Sequence, residues 1–173
     1  MKQEVRNFNK KYPLWKACGF HDDFRTSLRY ISFANGYAYA TDSHILVRAK
    51  LTDISNFEEQ ELSLLDGKFI HGNSFKEIIN CRGNVTITAD AIVVERNECK
   101  ISYPLVAGIK FPETEKVMVG SDVTEVKMEF GIKAKLLNTL SEVMGADYGI
   151  GMTWKSNKMF EVFPLGLSGD IKG

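Results

Sequence analysis

From Arg29 to Leu51 the chain reads RYISFANGYAYATDSHILVRAKL, short runs rich in aromatic and β-branched residues broken by small polar clusters. That pattern predicts three strands folded back on one another. Tyr30–Phe33 runs into Ala34-Asn35-Gly36, and Asn-Gly between two such runs is a strong hairpin signal. Tyr37–Thr41 runs into Asp42-Ser43, whose side chains can hydrogen-bond the turning backbone. His44–Leu51 closes the meander.

The pattern continues on both sides. Val5–Phe8 is expected as a short first strand. In Asn9–Cys18, Leu14, Trp15 and Cys18 share a helical face, and Pro13 limits any helix to starting near it. Glu58–Leu65 is expected as a linker with at most a helical turn, and Lys68–Ile70 as a strand. Asn73 or Ser74 offers an N-cap for the helix SFKEIINC, whose Phe75, Ile78 and Ile79 are spaced as a buried stripe. Gly83-Asn84 ends that helix. A second meander follows as Val85–Thr88, Ile92–Glu95 and Cys99–Tyr103.

Leu105–Asp122 has no clean period and reads as a connector. Val123–Phe130 alternates as a half-buried strand should. Ile132–Met144 carries the strongest helical pattern, with Ile132, Leu136, Leu137, Leu140, Val143 and Met144 in one stripe and Gly145 placed to cap its end. Tyr148–Trp154 and Met159–Pro164 form a last hairpin around Ser156-Asn157. The fold class expected is α+β, with one unit of strand, helix and antiparallel meander stated three times. The expected division is 1–105 as a domain of two units, 106–122 as a connector, and 123–173 as a partial second domain. Repetition of such a unit implies that neighbours complete each other's sheets, and the third is left with an open edge.

Composition changes this picture little: hydrophobic residues are 44% and charged residues 25%, as in an ordinary globular protein. Charge changes it more. Lys plus Arg and Asp plus Glu are both 22, so nucleic acid is not drawn by bulk charge, and any contact must come from a local basic face. Cys18, Cys81 and Cys99 form no C-x-x-C pair and read as reduced thiols. No apolar run at the start suits a signal peptide and none is long enough to span a membrane. The expected location is the cytoplasm.

Asn35-Gly36-Tyr37-Ala38-Tyr39-Ala40-Thr41-Asp42-Ser43-His44-Ile45-Leu46-Val47-Arg48 resembles the "ATDG-H-R-L" strand–turn–strand of bacterial and phage sliding clamps, the β subunit of DNA polymerase III. Phe24-Arg25-Thr26-Ser27-Leu28 sits where those clamps carry "RP-x-L", with Thr26 in place of the family's Pro. Phe111-Pro112-Glu113 is similar to the segment joining one clamp domain to the next. Gly131-Ile132-Lys133-Ala134-Lys135-Leu136-Leu137 is similar to the strand-to-helix start of a following domain. The clamps' basic tail strand has no counterpart after Lys172-Gly173, so partner-peptide capture of their kind is not implied.

The resemblance implies a DNA-clamp-like fold: helices lining a ring around double-stranded DNA, sheets outside, a homo-oligomer, and DNA polymerase or another replication protein as partner. It implies processivity without catalysis or cofactor. The basic residues it would set against phosphates are Lys10, Lys11, Lys16, Arg25, Lys76, Arg82, Lys133 and Lys135. Lys133 and Lys135, placed in the first turn of the third helix, would stand about 200° apart at 3.6 residues per turn. A different reading is a clamp-derived interaction module of a phage or mobile element that binds replication proteins. Other chemistries are weaker. Asp42 and His44 share a strand face without a nucleophile, and His21-Asp22-Asp23 lacks metal-ligand spacing. Gly145, Gly149 and Gly151 follow a helix, unlike a phosphate-binding loop.

Overall fold

Asn35 and Gly36 both take positive φ, 53° and 79°, the two-residue turn whose twist matches paired strands. They join β1 (Tyr30–Ala34) to β2 (Tyr37–Thr41), and β3 (Leu46–Lys50) pairs with β2 through Tyr39↔Arg48. The computed structural model describes residues 5–114, 132–146, 149–155 and 159–165. Within them the chain is mixed α+β with antiparallel sheets and few helices. The expected strand over Val123–Phe130 and the turn at Ser156-Asn157 lie outside the described residues.

β4 (Phe69–His71) adds to β1, giving the sheet order β3-β2-β1-β4. Ile31, Phe33, Ala38, Ala40, Val47, Ala49 and Ile70 alternate onto one face and are buried. They share a core with Leu14 and Ala17 and with Phe75, Ile78 and Ile79 of a helix, α3 (Gly72–Asn80). The second sheet is β5 (Asn84–Ile87), β6 (Ala91–Arg96) and β7 (Cys99–Pro104), and it buries Val85, Ile87, Ile92, Val94 and Tyr103. Last come α4 (Ala134–Val143) and the hairpin β8 (Ile150–Lys155) with β9 (Met159–Pro164).

Both sheets are met by a strand or segment from the other unit. β4, which precedes α3, joins the first sheet. The segment around Arg6 lies along β5, where the Val85 N–H donates to the Arg6 carbonyl at 3.0 Å and the Arg6 N–H to Asn84 Oδ1 at 3.0 Å. Phe8 stands between them, its ring centroid 5.0 Å from Phe57 and 5.2 Å from Phe75.

Several expectations need correction. Val5–Phe8 is not a strand: Phe8 makes an isolated bridge to Ser55. Asn9–Cys18 holds only a 3₁₀ turn, Leu14–Ala17, because Pro13 stands before it and Cys18 is already extended. A short helix not expected, α1 (Leu51–Ile54), follows β3 directly, while the helical turn expected within Glu58–Leu65 is present as α2 (Glu59–Ser63), held by a reciprocal capping box of Glu58 and Glu61. The N-cap of α3 is His71, not Asn73 or Ser74; its Nδ1 accepts the Asn73 N–H at 3.3 Å. α3 ends at Cys81, already extended, before Gly83. Gly145 does cap α4: at φ +60° its N–H reaches the Glu142 carbonyl and the next N–H, of Ala146, reaches Ser141.

Candidate nucleic-acid interface

The Leu14–Ala17 turn packs against both α3 and α4, so these three short elements form a layer beside the first sheet. Trp15 lies in that turn, half-buried. Lys76 of α3 holds its Nζ 4.5 Å from the centre of the indole, and Lys16 holds its own at 5.9 Å. A cation over an indole face is attracted by the ring's negative π surface, so the tryptophan gathers two ammonium groups far apart in sequence.

Carboxylates compensate this charge only in part. Lys16 is paired with Glu142 of α4, and that bond, followed by one from Asn138, holds the Glu142 carboxyl below its ordinary range. Glu77, next to Lys76, is turned instead to the Tyr103 hydroxyl, whose pKa is raised by burial first and by that hydrogen bond second. Among the described residues, Lys10, Lys76, Arg82, Lys133 and Lys135 make no ion pair.

Lys135 and Glu142 are seven residues apart on α4, about 20° short of two full turns, so they share the face that meets Lys16. Lys133 is the N-cap of α4 in extended conformation, which corrects its placement in the first turn. It therefore precedes the helix face that Lys135 occupies. Lys11 lays its stem over Gly145 at the end of α4, where an added Cβ would meet its Cγ at 2.8 Å. Lys10 is exposed beside it, and Arg82 is exposed just past the end of α3.

Arg25 is held elsewhere. Its guanidinium pairs with Asp22 at 2.7 Å and donates to Ser43 Oγ at 3.0 Å, tying the loop to the β2–β3 turn. Asp22 in turn accepts the backbone N–H groups of Phe24 and Arg25, and the Arg25 bond is the main cause of its lowered pKa. Arg29 pairs with Asp23 at 2.9 Å. The structure thus brings together Lys16, Lys76 and the Lys135 face, and separates from them Arg25, whose charge is met within its own loop.

Asp42 Oδ1 accepts the N–H groups of His44 and Ile45, both at 2.9 Å, so one carboxylate oxygen is spent on the turn. Cys18 is buried, and burial raises its thiol pKa well above the ordinary value, with Asp42 adding to the shift. Cys18, Cys81 and Cys99 are all free thiols. Among the described residues no helix is long and apolar enough to cross a membrane. Sequence reasoning missed the tryptophan as the organiser of the lysines. Its signal was an aromatic residue flanked by Lys11 and Lys16, which the apolar helical face of Leu14, Trp15 and Cys18 assigned to the core instead. Neither a protein-family model nor a curated protein sequence matches this chain.

Proposed function

We propose that this chain is a sliding-clamp-like processivity factor: it encircles or rides double-stranded DNA as a homo-oligomer in the cytoplasm, and a DNA polymerase or another replication protein is its partner. The supporting observation is the meeting of Lys16 and Lys76 over Trp15, next to the α4 face that carries Lys135. Lysines are point charges on flexible stems. They meet phosphates without reading base edges, as a protein that moves along DNA needs. The zero net charge fits the same reading, because attraction is then confined to one layer.

The resemblance of residues 35–48 to the clamp strand–turn–strand supplies the architecture, with helices toward the duplex and sheets outward. The exposed β7 edge, with Ile101 48% accessible, favours a second reading as a module that pairs with a replication protein. One experiment separates them. A ring that surrounds DNA stays on a nicked circle at a salt concentration that strips it from the same DNA once linearised, and it is a defined multimer by light scattering. Equal loss from circle and linear DNA, with a monomer in solution, overturns the ring.

A further inference from the structure

β7 is the outer strand of the second sheet, and its Cys99, Lys100, Ile101 and Ser102 are all exposed. The direction of its peptide groups follows from the hydrogen bonds. The Leu105 N–H donates to the Asp90 carbonyl at 2.8 Å, and these two residues extend the Ala91↔Pro104 register by one. They are therefore a hydrogen-bonded pair. Such pairs alternate along an antiparallel ladder, so Tyr103, Ile101 and Cys99 turn their peptide groups toward β6. Lys100 and Ser102 turn theirs outward. The opposite edge of the sheet shows the same phase in use. There the Thr88 N–H meets the Ala91 carbonyl, which leaves Val85 turned outward, and the Arg6 carbonyl takes its N–H at 3.0 Å. Among the described residues no strand takes the outward groups of β7.

The side chains decide what fits this edge. Ile101, 48% accessible, lies directly across from buried Val94, on the side that holds the core. Lys100 lies on the other side and is paired with Glu95 at 2.7 Å, so no bare charge guards the edge. Pro104 has no N–H, so Lys100 and Ser102 are the residues that offer both a donor and an acceptor. An antiparallel β7 of a second molecule must match outward peptides to outward peptides. Centred on Lys100, it sets the two lysines against each other and Ser102 against Glu98, whose φ of 66° is not extended. Centred on Ser102, it sets Lys100 against Pro104, which has nothing to donate. Centred on Ile101, it sets Lys100 against Ser102 and repeats that pair about a two-fold axis.

We propose that β7 pairs with β7 of a second molecule of this chain, antiparallel and centred on Ile101. Lys100 and Ser102 then exchange both N–H···O bonds on each side of the axis. Ile101 meets its own counterpart in a non-hydrogen-bonded pair, where Cα atoms stand about 4.5 Å apart and side chains are closest. The apolar surface that one molecule shows beside Val94 is covered by the same surface of the other. The contact is self-complementary and closes on itself, making a dimer rather than an open sheet. It supplies one contact to the proposed homo-oligomer and uses nothing from the DNA reading.

The test uses the full chain, followed by light scattering across a dilution series, which should show a dimer in equilibrium with monomer. Ser102→Pro removes an N–H that points outward, so the monomer at the dilute end should keep its urea midpoint. The dimer dissociation constant should rise about thirtyfold, the scale of one net hydrogen bond lost on each side of the axis. In a Cys99→Ser background, Ile101→Cys should form a disulfide dimer under mild oxidation, because residue 101 meets itself across the axis. Lys100→Cys in the same background should not. A chain that stays monomeric at every concentration overturns the contact, as does a dimer indifferent to Ser102→Pro. Cross-linking through residue 100 and not through 101 overturns the register. A dimer linked through residue 101 that leaves nicked circles and linear DNA at the same salt overturns the ring and keeps this contact.

Discussion

The two meanders, β1–β3 and β5–β7, are built alike and bounded differently. In the first, β4 covers one edge and the β-turn carries Asn35-Gly36. In the second, among the described residues, the β5 edge receives the segment around Arg6, and Cys99–Ser102 of β7 are all exposed. The β6–β7 turn has the same left-handed pair of conformations, but with Glu98 at φ +66° where the first turn has glycine. The same supersecondary pattern is thus tightly specified in one copy, while the other accepts local strain and, among the described residues, leaves the β7 edge without a partner strand.

The sharpest way to break this comparison is at the contact between copies. Phe8 is buried against Phe57 and Phe75, so Phe8→Ala should cost about 3–5 kcal/mol of unfolding stability, read as a lower urea midpoint. A cost below about 1 kcal/mol, the scale of an ordinary surface change, would mean that the copies fold independently.

The turns give a smaller, signed effect. Gly36 has nothing within 4 Å of an added Cβ, so Gly36→Ala isolates the backbone cost of a left-handed residue, about 1 kcal/mol. Glu98→Gly should raise stability by a similar amount, about 1 kcal/mol. Thermal unfolding of the two variants should shift in opposite directions; shifts of the same sign would remove the strain assigned to the second turn.

The smallest expected effect is on pH dependence. Burial, and then the positive charge of Arg29, hold the His71 pKa below its ordinary value of 6.5. The folded state thus binds the His71 proton less readily than the unfolded chain. The α3 cap is retained above pH 6.5 and its contribution declines as pH falls below it. Asp22, also lowered, acts in the same direction but only below its ordinary 3.8. His71→Asn, which keeps a capping side chain, should flatten the decline beginning near 6.5 and leave the acid end unchanged.

The sheets were the most legible part of the chain. Asn35-Gly36, the alternation of β5 and the apolar run of β6 are local signals, and local signals survive folding. The helical segments were less so. Leu14–Ala17 carries a helix-like apolar stripe that Pro13 and the extended Cys18 cut to one turn. α2 shows in the sequence only as a turn within Glu58–Leu65, because Glu58 plays the capping part that Ser or Thr more often plays. His71 was missed as a cap because its role depends on a neutral imidazole, which its partly buried place beside Arg29 favours. At the candidate interface, residue type selected Lys16 and Lys76, and Arg25 was favoured over them because its position also matches the clamp segment. Which of them carries free charge depends on Glu142, Tyr103 and Asp22, partners that no spacing rule reveals.

The central claim is that the lysine layer around Trp15 meets duplex phosphates, and its most direct measurement is the salt dependence of duplex affinity. Each phosphate neutralised contributes about −0.9 to the slope of log affinity against log salt. Lys76→Gln combined with Lys135→Gln should therefore make the slope shallower by about 2, equally on duplexes of unrelated sequence. A slope unchanged by the double substitution, or an affinity that depends on sequence rather than salt, would contradict it.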